Sequence, residues 1–375
     1  MNKDISIDGR APVRPAKLPL HAFVLVVASL MLAAPVVFAK TIAEGRIVVD
    51  ILHGKSLENT VTDESADRKV LVYLPPSYEK AATRRYPVIY LLHGIGGTGE
   101  EWVKNEGDWA SIQSVMNNGI AAGLIREMIV VLPNQQTRRF GSFYTNSTVT
   151  GRWEDFTTQE LVKFVDGKYR TLATAASRGI AGHSMGGYGA LKLGMKHPDV
   201  YSVVYGMNPA LIGWGGDLTA LNPAFIAATR AKSFDEIPPP GYAAGIVTAA
   251  QAFSPNPDKP PFYVDLPYAE VDGKVVPAEP AFSAWEANAI VNMVHKYRAN
   301  LMRLRGLRFD SGYADSFQFI PVNARALSLE LTTYGVEHVF EEYNGDHQNR
   351  MFGRTGRLST EVLPYFSLLL EPQAP

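Results

Sequence analysis

The segment Arg178-Gly179-Ile180-Ala181-Gly182-His183-Ser184-Met185-Gly186 decides the fold of this 375-residue chain. Residues 178–181 are typical of a buried strand, and the apolar spacing from 185 to 197 predicts a helix directly after it. A serine between two glycines at such a junction has the pattern of a nucleophile elbow, in which the turn strains the serine backbone and the glycines leave room for it. We therefore interpret Ser184 as a nucleophile. The alternative is a tight strand-to-helix turn in which the serine has no catalytic role.

Strand-like and helix-like segments alternate on both sides of this elbow. Runs rich in β-branched and aromatic residues predict strands at 46–52, 69–74, 87–92, 128–132, 178–181, 201–205, 307–309 and 338–343. Apolar residues at helical spacing predict helices at 109–121, 158–169, 185–197, 322–333 and 360–370. The first two strands are expected to form an antiparallel edge. The alternation predicts a doubly wound and mostly parallel sheet with helices on both faces, and the elbow motif makes this the pattern of an α/β-hydrolase fold.

The stretch from 207 to 305 interrupts this alternation. It is rich in proline, including Pro238-Pro239-Pro240, and in aromatic residues such as Trp214 and Phe262. A long insertion at one edge of an α/β sheet more often forms a lid or a wall of the substrate site than a linker. A second small domain is the alternative.

The composition excludes several classes of function. Lys plus Arg (36) nearly balances Asp plus Glu (37), so no overall field attracts nucleic acid. The absence of cysteine excludes disulfides, thiolate metal sites and a cysteine nucleophile. The apolar fraction of 46% suits a large core. The expected chemistry requires no cofactor and no metal.

The first 39 residues have the organisation of a signal peptide. Four basic residues precede an apolar run from 22 to 34, and Val37-Phe38-Ala39 suits a signal peptidase. We expect cleavage before Lys40, which would leave residues 40–375 as the mature hydrolase domain, either secreted or periplasmic and without stable membrane association. The alternative is an uncleaved anchor, since Leu20 to Phe38 is only slightly shorter than a membrane span.

A nucleophilic serine requires a general base. In α/β-hydrolases the chain order is serine, acid, histidine, and only two histidines fit the last position. His338 opens the last predicted strand, whereas His347 follows that strand in a polar loop that can reach the functional edge of the sheet. We assign His347 as the base, with His338 as the alternative.

The acid should leave the end of the preceding strand, where it can orient the imidazole. The segment 309–317 offers Asp310 at the strand end and Asp315 further into the loop. Spacing alone favours neither of them. The other aspartate would then serve a turn or a cap.

Acyl transfer also needs two amide donors for the oxyanion. One is the backbone N–H of Met185, and the other should come from the glycine-rich loop His93-Gly94-Ile95-Gly96-Gly97, where we choose Ile95. The sequence argues against a phosphate-binding loop here, because neither Lys-Ser nor Lys-Thr follows the glycines. Asn146-Ser147-Thr148 matches a glycosylation acceptor, but we interpret it as a plain surface loop.

With these motifs in place, the chain resembles the esterase D family, which includes S-formylglutathione hydrolases, feruloyl and acetyl-xylan esterases and mycolyltransferases. The resemblance covers about residues 47–370 and is carried by four segments: 72–78 (VYLPPSY), 92–94 (LHG), 160–170 and the extended elbow 182–190 (GHSMGGYGA). It implies that the acid is Asp315, the second aspartate of a D-x-G-x-x-D-x-F pattern, and that the oxyanion donors are Ile95 and Met185. The chain departs from many members by lacking a tryptophan shortly after His347.

Together these features predict a secreted serine esterase that acts on a small-molecule or polysaccharide-linked ester through an acyl-enzyme. Two alternatives remain: an acyltransferase that passes the acyl group to a sugar or lipid hydroxyl, and a non-catalytic binding protein on the same fold.

Overall fold

A computed structural model of the chain describes residues 43–106, 109–239, 241–353 and 355–374. The predicted signal peptide at 1–39 lies outside these ranges. Within them, no helix combines the length and the apolar character that a membrane crossing requires.

Eight strands form the central sheet. Numbered in chain order, they are β1 Arg46–His53, β2 Asp67–Leu74, β3 Val88–Leu92, β4 Ile129–Pro133, β7 Arg178–His183, β8 Val203–Met207, β11 Gly306–Gly312 and β12 Val339–Tyr343. Two short pairs lie outside the sheet: β5 Asn146–Ser147 with β6 Gly151–Arg152, and β9 Tyr268–Val271 with β10 Lys274–Pro277.

The strand order in the sheet is β1-β2-β4-β3-β7-β8-β11-β12. Strand β2 runs antiparallel to both of its neighbours, and every other pairing is parallel. The carboxyl ends of β3, β7, β8, β11 and β12 therefore meet at one edge. Side chains that follow these strands can converge there, as they do in open α/β sheets.

Helices cover the sheet on both faces and build the connections. The α-helices are α1 Ile112–Ala121, α2 Trp153–Asp155, α3 Leu161–Lys168, α4 Met185–Lys196, α5 Pro223–Arg230, α6 Tyr242–Phe253, α7 Ala281–Asn288, α8 Ile290–Leu301, α9 Phe319–Thr333 and α10 Leu363–Leu369. Short 3-10 turns span Lys55–Leu57, Gly99–Val103, Ala175–Ser177 and Phe234–Glu236, and π turns at Phe156–Glu160 and Leu358–Val362 lead into α3 and α10.

Each face of the sheet has its own apolar core. One core contains Trp153, Phe156 and Tyr201, and the other contains Trp102 and Phe366, all of them nearly inaccessible to solvent. The central parallel strands β3, β4 and β8 are buried on both faces, which explains why their sequences are continuously apolar rather than alternating. The predicted fold class, a doubly wound α/β-hydrolase sheet, is confirmed.

Element boundaries differ from the sequence prediction where side chains cap or extend a helix. Helix α1 begins at Ile112 instead of residue 109, because the Ser111 hydroxyl accepts a hydrogen bond from the Ser114 N–H at 3.2 Å. The helix predicted from residue 158 is preceded by α2 and a π turn, so helical structure begins already at Trp153.

The segment between β8 and β11 has two parts. Helices α5 to α7 and the β9–β10 hairpin enclose a cluster of aromatic rings, with Trp214 stacked on Trp285 at 5.4 Å between ring centroids. Helix α8 instead packs against α4 and α9. It thus covers the sheet as the crossover helix that two neighbouring parallel strands require.

Candidate functional site

Ser184 lies at the turn between β7 and α4. Its backbone has φ 56° and ψ −116°, a region that L-residues rarely adopt, and its N–H donates to the Met207 carbonyl at 2.9 Å. The flanking glycines are required sterically. A Cβ at Gly182 would lie 2.3 Å from the backbone of Gly186, and one at Gly186 would lie 2.2 Å from the Leu92 carbonyl oxygen.

Ser184, His347 and Asp315 form a continuous chain of hydrogen bonds. His347 Nε2 lies 3.0 Å from Ser184 Oγ, and His347 Nδ1 lies 2.7 Å from Asp315 Oδ2. The other oxygen of Asp315 accepts the Phe317 N–H at 2.8 Å, and the Asp315 side chain is fully buried. The three residues come from the ends of β7, β11 and β12, which meet at one sheet edge. Their arrangement suits a serine nucleophile with an oriented base.

The loop that carries His347 is held by its own side chains. The Asp346 carboxylate accepts the N–H groups of Gln348 and Asn349 at 2.8 and 2.6 Å, and these bonds lower its pKa. The Asp346 N–H in turn donates to the Asn349 side chain at 2.8 Å. This local network fixes the backbone on both sides of the imidazole.

Two further polar residues fix the His347 backbone from the sheet side. His183 is buried, and desolvation lowers its pKa to about 3, so its neutral ring donates Nε2–H to the His347 carbonyl at 2.7 Å. Asn208 donates to the same carbonyl at 3.2 Å and to the Tyr343 hydroxyl at 2.8 Å, while its oxygen accepts the Gly312 N–H at 2.7 Å. Asn208 therefore links the ends of three strands.

Sequence reasoning did not identify either residue as part of the site. His183 occupies a variable position of the elbow motif. Asn208 follows directly after a buried strand, and a polar residue at such a position was the available signal. The pairing of either residue with the His347 backbone depends on contacts more than 130 positions apart in the chain.

Asp310, the alternative acid, has a different environment. Its Oδ2 accepts from Arg357 Nε and from the Tyr205 hydroxyl, both at 2.8 Å. Burial raises the pKa of Asp310, and Arg357 opposes that rise. The alternative base, His338, contacts Ser328 and the Val336 carbonyl. The structure brings neither alternative to Ser184.

The glycine-rich loop after β3 lies beside the serine. A Cβ at Gly94 would be 3.5 Å from the Ser184 Cβ, and both Ile95 and Met185 line the same cavity as Ser184. Within the described residues, neither the Ile95 nor the Met185 amide donates a hydrogen bond to another group of the chain. Met185 is the first residue of α4, where amides are free to bind an anion.

His93 holds this loop in place. The Gln135 N–H donates to its Nε2 at 2.9 Å, so the proton sits on Nδ1, which donates to the Gly94 carbonyl at 2.8 Å. Burial lowers the pKa of His93 to about 4 and keeps the ring neutral. Glu101 contributes a second support, because its carboxylate accepts the Gly94 N–H at 3.2 Å. Burial raises the pKa of Glu101 to about 7.

The cavity at Ser184 has a volume of about 340 Å³ and a mostly apolar lining. The segment between β8 and β11 supplies one wall, which includes Leu218, Tyr242 and Trp285. Phe317, which follows the acid loop, packs edge-on against the His347 ring at 5.0 Å between centroids, and Tyr242 packs against Phe317 at 5.4 Å. The wall is therefore in contact with the residues that position the imidazole.

The motif at Asn146 has a structural role. The Asn146 side chain is exposed but engaged, because its oxygen accepts the N–H groups of Glu154 and Asp155 at 3.0 and 3.1 Å and so caps α2. In the described ranges, no group of three or more His, Asp or Glu side chains is placed to hold a metal ion.

Comparison with known proteins gives the family. The model of the Esterase family, described as "Putative esterase", matches residues 64–355, which is most of the chain. The protein therefore belongs to this family, and the resemblance seen in the sequence is confirmed.

Similar curated proteins match only a part of the chain. An "Endo-1,4-beta-xylanase/feruloyl esterase" of Xylanibacter ruminicola is 31% identical over 160 residues, which are 40% of this chain and 21% of that protein. "Esterase Rv1288" of Mycobacterium tuberculosis is 36% identical over 34% of this chain and 26% of its own length. "S-formylglutathione hydrolase" of Bos taurus is 28% identical over 43% of this chain and 60% of its own length. The matches thus span less than two thirds of each of these relatives.

Solved structures with the same fold cover far more of the chain. A "ferulic acid esterase" superposes with a TM-score of 0.60 and 23% identity, over 87% of this chain and 99% of its own. An S-formylglutathione hydrolase from Agrobacterium tumefaciens gives 0.55 and 18%, over 88% and 97%. The Staphylococcus aureus "fluorophosphonate-binding serine hydrolases F" gives 0.55 and 15%, over 88% and 99%. At these identities the likeness establishes the α/β-hydrolase fold.

Proposed function

We propose that the protein is a serine esterase that hydrolyses carboxylic esters through an acyl-enzyme on Ser184. One observation carries this proposal. The hydrogen bonds from Asp315 through His347 to Ser184 have lengths of 2.7 and 3.0 Å. They end in an apolar cavity beside two amides, those of Ile95 and Met185, that donate to no other group within the described residues. Membership of the Esterase family supports the same chemistry.

In the acylation step, His347 Nε2 accepts the hydroxyl proton of Ser184 as Oγ attacks the ester carbonyl carbon. The Asp315 carboxylate accepts Nδ1–H, which fixes the tautomer and stabilises the imidazolium that forms. His347 then returns the proton to the leaving alkoxide, so the alcohol departs and the acyl group stays on Ser184. Water activated by the same histidine releases the acid in the second step.

The negative charge of each tetrahedral intermediate falls on the former carbonyl oxygen. We assign the Ile95 and Met185 amides as its donors. The position of Met185 at the N-terminus of α4 adds the favourable end of the helix dipole. His93 and Glu101, through Gly94, hold the first of these donors in place.

The cavity supports a proposal about the substrate. Its lining by Tyr242, Trp285 and Phe143 favours an ester with an apolar or aryl group rather than a charged one. The names of the feruloyl esterase relatives and structural neighbours agree with an aryl ester. The partner of this site is then a small-molecule or polysaccharide-linked ester.

The direct test is turnover of p-nitrophenyl acetate and butyrate by the Ser184→Ala variant. We expect kcat/KM to fall by at least about 10⁴-fold, as the loss of a nucleophile does in other serine hydrolases. Ser311→Ala is a matched control, since Ser311 is fully buried on β11 and its hydroxyl has no hydrogen-bond partner within the described residues. Undiminished turnover by Ser184→Ala would refute the proposal.

Product analysis with a sugar acceptor added would separate hydrolysis from acyl transfer.

We also propose that residues 1–39 direct export and are removed before Lys40. Expression of the full chain in a bacterial host, followed by N-terminal sequencing of the exported protein, tests this. An N-terminus at Lys40 is expected. Recovery of the intact chain in the membrane fraction would instead identify an uncleaved anchor.

A further inference from the structure

A second cavity lies on the side of the molecule formed by α4, α7, α8 and the turn around Thr145. Its volume is about 450 Å³, and within the described residues it shares no lining residue with the cavity at Ser184. We call it the lysine cavity, because Lys192, Lys196 and Lys296 all line it. Lys192 lies two helical turns, about 12 Å, along α4 from Ser184.

Lys192 is buried without a counter-ion. Its side chain is 3% exposed, and its ammonium donates to Thr145 Oγ1 at 2.8 Å and to Asn288 Oδ1 at 2.7 Å, both neutral acceptors. An ammonium has three donor hydrogens, so one remains after these two bonds, and the ring centroids of Tyr188 and Phe253 lie 5.4 and 5.7 Å from the nitrogen. No carboxylate of the described residues lies within ion-pair distance of Lys192, and a buried charge is costly unless it is paired.

The other charges of the cavity do not balance this cation. Glu154 is the one acidic residue that lines it, and its carboxylate already pairs with Lys196 at 2.6 Å and with His197 at 2.8 Å. Lys296 is exposed, and no ion pair is found for it in the described part of the chain. The cavity is therefore lined by three lysines and one carboxylate, together with the side-chain amides of Asn146, Asn288 and Asn292.

We propose that the lysine cavity binds a small molecule through a phosphate or carboxylate group, with Lys192 at the buried end of the site and Lys296 at its exposed side. The anion accepts the remaining N–H of Lys192 and supplies the missing counter-charge. The exposed ammonium of Lys296 supplies a second positive charge at the same cavity. This site is separate from the proposed esterase reaction and does not depend on it.

Binding should be linked to proton uptake. Burial lowers the pKa of Lys192 to about 7; Lys196 lowers it further, while Glu154 opposes the change. Tyr188, Lys296 and Tyr297 are the other titratable groups around this ammonium, and burial holds the pKa of Tyr188 well above its ordinary range. A bound anion stabilises the charged form and raises the lysine pKa. At about pH 8, binding should therefore take up a proton, and affinity should fall as the pH rises.

Isothermal titration calorimetry of the full chain tests this with inorganic phosphate in one arm and succinate in the other. Each titration is run at about pH 8 in two buffers of different ionisation enthalpy, which gives the number of protons taken up. We expect saturable binding of at least one probe with proton uptake. Binding of phosphate alone would assign a phosphoryl ligand, and binding of succinate alone would assign a carboxylate ligand.

Three variants make the test specific. Lys192→Met keeps the length of the side chain, and it should weaken binding by about tenfold or more and abolish proton uptake. Lys296→Gln should weaken binding while leaving proton uptake, and it applies even if Lys192→Met fails to fold. Lys163→Gln, an exposed lysine on α3, is the control that should change nothing. The proposal is overturned if neither probe binds saturably, or if binding is the same in Lys192→Met and Lys296→Gln as in the unaltered protein.

Discussion

Asp310 and Asp315 are five positions apart, both fully buried, and yet they serve different partners. Strand β11 ends at Gly312, so Asp310 is still part of the strand and points toward Arg357, whereas Asp315 lies in the loop that reaches His347. The chemistry available to each carboxylate is therefore determined by its partner. Asp310 belongs to a buried ion pair that links β11 to the C-terminal segment, and Asp315 is the candidate for orienting the base.

This difference predicts opposite phenotypes for two matched variants. Asp315→Asn should lower kcat by about 10³- to 10⁴-fold, because the amide no longer holds the required imidazole tautomer, with little change in stability. Asp310→Asn removes the buried carboxylate from its pair with Arg357, which keeps its ion pair with Glu341, and should lower the free energy of unfolding by about 1–3 kcal/mol, while the folded fraction keeps its kcat. Steady-state kinetics together with urea unfolding measure both effects. A folded Asp310→Asn protein without activity would contradict the assignment.

Sequence reasoning at the residue scale reached the candidates that a motif or a chain order marks. Ser184, His347 and the two oxyanion residues could be chosen this way, and the choice of Asp315 over Asp310 required the family pattern. His183, Asn208 and Glu101 could not be chosen, because their roles arise from hydrogen bonds to the backbone of distant residues. No spacing rule predicts which carbonyl or amide a buried side chain will meet.

At the scale of elements, the elbow shows how tightly β7, α4 and β3 are packed. Gly186 lies against the backbone of the β3 end, where the Leu92 and His93 carbonyl oxygens would lie 2.2 and 2.8 Å from an added Cβ. Backbone atoms cannot rotate away as a side chain could. The glycine is therefore needed for helix α4 to approach the sheet closely enough to present Ser184.

Gly186→Ala should accordingly lower the free energy of unfolding by about 3 kcal/mol or more. Gly167→Ala is the matched control, because this glycine lies in α3 and no atom is found within 4 Å of its added Cβ. That substitution should stabilise the protein by about 0.5–1 kcal/mol through its higher helix propensity. Urea unfolding of the two variants measures the contrast, and equal effects would argue against the packing described for the elbow.

The element prediction succeeded where strands are continuously apolar and helices strongly periodic. It was less precise where tertiary contacts, rather than local sequence, determine whether an element forms and where it ends. The predicted interruption at 207–305 includes α8 (Ile290–Leu301), which follows α7 after a single residue and departs from helical geometry at Tyr297. The β9–β10 hairpin turns through Asp272 and Gly273, both with positive φ, and its short strands carry few buried residues to mark them.

For the whole molecule, burial of neutral histidines links folding to pH. His93 and His183 have pKa values of about 4 and 3, below the ordinary value of 6.5, because burial disfavours their charged forms. Between these values and pH 6.5, the unfolded chain binds protons that the folded chain does not. Their contribution to stability is therefore fully present above about pH 6.5 and is lost as the pH falls toward 4 and 3.

The free energy of unfolding should fall on acidification by about 1.4 kcal/mol per pH unit for each of these two histidines. His93→Gln should remove one such contribution, so its slope between about pH 4.5 and 6 should be smaller than that of the unaltered protein. Above about pH 7 the two slopes should coincide, which serves as the internal control. Urea unfolding over this pH range measures the slopes, and identical slopes at acid pH would contradict a neutral buried His93.

The central claim is that Ser184 is a nucleophile activated by His347. The most direct measurement is reaction of the folded protein with a fluorophosphonate, followed by peptide mass spectrometry to locate the adduct. We predict a single adduct on Ser184, abolished in Ser184→Ala and formed far more slowly in His347→Gln. No adduct, or an adduct on another residue while Ser184 stays unmodified, would contradict it.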